Sequence, residues 1–114
     1  MTLEQFESEV TSACSHSPIV AGVSTPGVGV TWIRLRAYLT DGSFVDAFHN
    51  YATGKTAFAL IKADRRILGA DNTGGWHWHP WEKPDSHVPT SQPVTFQEFL
   101  GQIENLLKAR VDAQ

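Results

Sequence analysis

The chain has 114 residues, a formal net charge of −3, 41% apolar side chains and 11% aromatic ones. That is the length of one domain, 1–114, with enough apolar surface for a core; it excludes a disordered chain, and no apolar run approaches a membrane span. The acidity excludes broad affinity for nucleic acid, but the charge is uneven. Residues 1–27 carry three acids and no base, residues 28–66 six bases and three acids, and residues 67–114 three bases and six acids. A basic middle leaves room for a local anion patch, with ordinary solvated strand edges as the plain alternative. The start, MTLEQFESEV, lacks the basic and apolar stretches of a signal peptide. The single cysteine, Cys14, has no partner for an internal disulfide, so a cytoplasmic protein with no membrane role is expected.

Thr2 with Gln5 reads as a capping box opening a helix to about residue 14. Leu3, Phe6, Val10, Ala13 and Cys14 form its apolar face, with Cys14 a small core residue. Residues 15–29 are rich in Ser, Pro and Gly and predict a loop or short strand. TWIRLRAYL and SFVDAFHNY flank Asp41-Gly42 and read as a hairpin on a two-residue type I′ turn. KTAFALIKA and ILGAD supply two further strands. Residues 72–94 predict a long constrained loop with one extended piece, WHWH. Thr95 with Glu98 caps a closing helix whose apolar face is Phe96, Phe99, Leu100, Ile103, Leu106 and Leu107. The expected fold class is α+β: one domain, an antiparallel meander of four to five strands, and N- and C-terminal helices on one face.

The two-residue turn sets a register. It pairs Thr40 with Ser43 and Leu39 with Phe44, so Arg34 falls opposite His49 and Trp32 opposite Tyr51. The core face would hold Ile33, Leu35, Ala37, Leu39, Phe44, Asp46, Phe48 and Asn50, with Asp46 as a polar intruder. The other face would mix Arg34, Arg36 and His49 with aromatics, which most simply shelter the arginine stems.

GGWHWHPW, residues 74–81, holds three of four Trp and two of five His. A loop so built in a small domain is usually functional. In extended backbone Trp76 and Trp78 face one way and His77 and His79 the other, with histidine Cα atoms roughly 6.6 Å apart. Both imidazoles then reach one small object. His87 follows in another proline-braced segment, with Asp71 and Asn72 upstream. One reading makes His77 and His79 the general base and acid of RNA cleavage, in either order. His87 would assist, and Lys55 or Arg66 would contact phosphate. Trp76 and Asp71 would help hold substrate; Trp76 would stack a base unless it turns to the core. That chemistry requires no metal and no cofactor. A second reading has His77, His79 and His87 bind zinc, with Asp71 or Asp85 as fourth ligand. A third makes the loop structural, its histidines bonded to backbone.

The order DGSFVD, then RRILGADN, then a histidine-rich loop closing on His-x-Pro, then a capped helix, resembles the TumE-type family of small prokaryotic toxin–antitoxin proteins over about residues 30–107. Arg66, Asp71 and Asn72 match its strand. His77 and His79 stand in WHWHP rather than as its adjacent histidine pair, and His87 stands alone where it has several. The resemblance implies a toxin-like role and a cognate antitoxin partner. The combined expectation is a toxin-like, metal-independent ribonuclease with RNA as substrate. The alternative is a non-enzymatic protein docking a partner through its Trp/His loop. An edge strand in so small a sheet makes a homodimer conceivable.

Overall fold

Both capped helices form where the sequence predicts them. In the computed structural model, which describes residues 1–81, 83 and 85–112, Thr2 and Gln5 exchange the two hydrogen bonds of a capping box, at 2.8 and 3.0 Å. They open α1, Leu3–Ser15. The Glu98 N–H donates to Thr95 Oγ1 at 3.1 Å and opens α2, Phe96–Asp112. Between the helices lie β1 (Val20–Val28), β2 (Trp32–Leu39), β3 (Phe44–Asn50), β4 (Thr56–Lys62), β5 (Arg65–Asp71), β6 (His77–His79) and β7 (Val88–Pro89). They make one antiparallel sheet in chain order, β1 to β7.

Seven strands replace the four to five expected, and the additions are the two edges. β1 occupies much of the segment read as a loop or short strand. Its pairing with β2 is irregular between Val20 and Gly22 and again between Ser24 and Gly27, around Pro26. An edge strand tolerates bulges and proline because one side needs no partner. β7 is two residues long and falls inside the predicted loop.

One face of the sheet is covered. Phe6, Val10 and Cys14 of α1 and Phe96, Phe99, Leu100 and Ile103 of α2 pack on Ile33, Leu35, Ala37, Leu39, Val45, Ala47, Phe58, Leu60, Leu68 and Ala70. Phe58 is the hub, with the rings of Phe6, Phe96 and Phe99 5.6–6.2 Å away. Burial pushes the Cys14 thiol up to about 11, as befits an inert core residue. No helix among the described residues is long and apolar enough to cross a membrane.

The β2–β3 hairpin corrects the predicted register. Its loop has three residues, Thr40, Asp41 and Gly42: the Leu39 N–H donates to Ser43 O at 2.9 Å and the Gly42 N–H to Leu39 O at 3.1 Å. Gly42, at φ 90°, takes the left-handed position that closes such a loop. Asp41 accepts from both the N–H and the hydroxyl of Ser43 and lies 3.6 Å from Lys62. Asp46 therefore pairs with Arg36 and His49 with Ile33. A shift of one residue turns a whole strand over. Val45, Ala47 and His49 face the core, and Phe44, Asp46 and Phe48 the open side. His49 is a satisfied core histidine: its Nε2–H donates to Met1 O at 2.9 Å and its Nδ1 accepts from the Thr56 hydroxyl at 2.8 Å. On the open side Asp46 accepts from Arg36 Nε at 3.0 Å and lies 3.9 Å from Arg34. The two guanidiniums lie over Phe44 and Phe48 at 4.3 and 5.1 Å. The two-residue turn with both φ positive occurs instead at Ala63-Asp64, between paired Lys62 and Arg65.

Candidate functional site

The GGWHWHPW segment begins with a turn that needs glycine: Gly74 and Gly75 have φ 68° and 103°. β6 then alternates as predicted. Trp78 turns to the helices, 5.7 Å from the Phe99 ring, and the Trp76 ring, which also walls one side of the site, is 6.2 Å from Phe58. His77 and His79 turn to the open face. Asp71 of β5 pairs with His77, and Gly69 with His79. Trp78 pairs with Val88, so the same register carries His87 opposite His79. Asp71, His77, His79 and His87 are thus neighbours on one face, around a cleft of about 500 Å³.

The contacts are close. His77 Nε2 and His79 Nε2 are 3.2 Å apart. Asp71 Oδ2 lies 3.1 Å from His79 Nε2, and Oδ1 lies 3.4 Å from His77 Nε2. His77 Nδ1–H donates to Gly75 O at 3.0 Å. The His87 ring is 4.9 Å from His77 and 4.6 Å from His79. His79 is 5% exposed, and its Nδ1 is buried with no hydrogen-bond partner among the described residues. Burial alone would raise the Asp71 carboxyl. The Thr73 N–H, the His79 hydrogen bond and the charge of His77 outweigh it and hold the group below the ordinary carboxylate range.

Of the residues singled out in the sequence, His77, His79, His87 and Asp71 come together. Arg66 reaches the same place: a Cβ on Gly69 would stand 3.2 Å from Arg66 Cδ and 3.3 Å from His79 Cδ2. Gly69 thus leaves the space in which the Arg66 stem and the His79 ring sit side by side. Lys55 is exposed in the β3–β4 connection and does not line the cleft. Asp85 is exposed and, unlike Asp71, does not line the cleft. The division of labour between His77 as base and His79 as acid meets a steric fact. At 3.2 Å the two nitrogens touch, so no phosphate enters between them unless a ring moves.

Sequence reading missed the direct hydrogen bonding of Asp71 to the histidines, Gly69 and the Gly75 carbonyl, though it had Asp71 as a substrate contact and a candidate fourth metal ligand. The first was within reach. Asn72-Thr-Gly-Gly is a turn signal, and reading it as a hairpin pairs Asp71 with His77. A second cleft lies by the helices, beside Glu9, His16 and Glu104. Its Glu104 accepts a hydrogen bond from Ser17 at 2.7 Å, and it gathers no comparable cluster. Comparison with protein-family models, curated proteins and solved structures returned no match.

Proposed function

We propose that the cluster is a hydrolytic centre and that the protein is a small enzyme cleaving RNA, the activity expected of a toxin-like component with a cognate antitoxin. The observation that supports this reading is one of placement. His77, His79 and their carboxylate Asp71 border an open cleft, with the Arg66 stem beside His79. A carboxylate bonded to one histidine of a touching pair is a unit for activating a nucleophile, and a guanidinium at its side suits a phosphodiester. The partner-docking alternative wants the tryptophans exposed as an apolar patch. Trp76, Trp78 and Trp81 instead pack partly buried against the core, which favours the enzymatic reading.

The test uses purified protein with a labelled single-stranded RNA and a DNA of the same sequence, alongside induced expression in growing cells. RNA fragments and arrested growth are expected from the wild type. The His77→Ala/His79→Ala double variant should lose about 10²-fold or more in rate, with its fold checked by circular dichroism. Intact RNA and unharmed cells with folded wild-type protein would sink the proposal.

A further inference from the structure

Two histidine nitrogens and the Asp71 carboxylate are spaced as three ligands of a tetrahedral metal ion are. His77 Nε2, His79 Nε2 and the two Asp71 oxygens are 3.1–3.4 Å from one another across the histidine–histidine and histidine–carboxylate pairs. Ligands held about 2.0–2.1 Å from a zinc ion lie about 3.3 Å apart. The ligand atom of His87 completes a group of three histidines within 4.8 Å of one another.

Proton accounting points the same way. The Gly75 carbonyl can only accept, so neutral His77 keeps its proton on Nδ1 and turns a bare Nε2 lone pair inward. This is the orientation that a backbone carbonyl imposes on metal-ligating histidines. His79 then donates Nε2–H to Asp71 Oδ2. The same N–H lies 3.2 Å from His77 Nε2, so one proton serves two acceptors, and the His77 lone pair also stands 3.4 Å from Asp71 Oδ1. One cation at the centre accepts every lone pair at once. Moving the His79 proton to Nδ1 breaks no hydrogen bond there, because Nδ1 has none among the described residues, and it frees Nε2 to ligate.

We infer that His77 Nε2, His79 Nε2, Asp71 and His87 form a binding site for one divalent transition-metal ion of the zinc class. Imidazole and carboxylate without thiolate suit zinc and its borderline neighbours. Asp71, His77 and His79 are the inner ligands. His87, exposed before the edge strand β7, is the outer one and the position at which water or substrate enters. The binding stands on this geometry alone. What the ion does rests on the hydrolytic reading above: it would supply a bound water acidic enough to be a nucleophile near neutral pH.

The experiment titrates zinc into full-length protein stripped with a chelator, in competition with a chromogenic chelator, and repeats the titration with cobalt(II) to read the ligand geometry spectroscopically. One ion per chain is expected. His77→Ala and His79→Ala should each weaken binding more than about 100-fold, and His87→Ala about 10-fold, set against the 10–100-fold typical of outer-shell partners. His16→Ala, an exposed histidine at the end of α1, should bind as the wild type does. His87 is exposed, so its variant keeps the test open if the buried His79 variant fails to fold. No zinc uptake by folded wild type, or uptake unchanged in both His77→Ala and His87→Ala, overturns the inference. Zinc bound with RNA left intact supports the site and removes the hydrolytic reading. RNA cut at full rate by metal-free protein that takes up no zinc does the reverse.

Discussion

The two faces of the sheet are built from the same strands and solve different problems. The helix-covered face is apolar and nearly complete, with Val45, Ala70, Phe99 and Ile103 fully excluded from water. The open face alternates with it residue by residue and carries the charge: Arg34, Arg36 and Asp46 at one end, Asp71, His77 and His79 at the other. Packing sets the first face, and polar pairing sets the second. The lesson is that β6 belongs to both. Its tryptophan is held by the core, and that anchoring fixes where its histidines point.

The largest expected effect tests the division directly with one phenylalanine from each face. Phe58→Ala should cost about 3–5 kcal/mol in urea unfolding, because a central ring is lost from a closed core. Phe48→Ala, half-buried under Arg34, should cost only about 1–2 kcal/mol. Equal losses would mean that the open face is also a core. Next is Gly69→Ala, whose new methyl would press on Arg66 and His79 from 3.2 and 3.3 Å. Stability should change by less than about 1 kcal/mol, while zinc affinity falls about 10-fold; a large stability loss with affinity intact would detach Gly69 from the site. The smallest effect belongs to Asp41. Burial raises its carboxyl, but the Ser43 hydrogen bonds and Lys62 bring it below the ordinary value. A depressed carboxyl stabilises the fold above its unfolded pKa of about 4 and loses that contribution as pH falls through its folded value. Asp41→Asn should therefore cost less than about 1 kcal/mol near neutrality and nothing well below pH 4, as read from thermal unfolding across pH. A penalty that persisted in acid would place the effect in the loop's geometry rather than in its charge.

The two helices were legible because each begins with a side-chain cap and continues with a clean apolar stripe. The direction of the histidines was legible because WHWH alternates at the strand period. The β2–β3 register was not. Asp-Gly closes two-residue and three-residue loops alike, and nothing in Thr40-Asp41-Gly42 distinguishes them locally. That ambiguity sent Asp46 to the wrong face and His49 out of the core. β1 was half legible: the Ser, Pro and Gly content of residues 15–29 allowed a loop or a short strand, and its position at an edge permits the strand Val20–Val28. Convergence at the site was half legible: three histidines were visible in sequence, whereas the carboxylate between two of them depends on strand pairing.

The strand order itself has a consequence for how the molecule comes into being. Every strand pairs with its neighbour in sequence, so the sheet grows by closing short loops, the kind of step that takes microseconds or less. The helices make the long closures: Phe6 of α1 stacks on Phe58 of β4, and Ser17, just after α1, donates to Glu104 of α2, 87 residues away. α2 follows the histidine edge in the chain, so the edge can pair before α2 covers the apolar side beneath it.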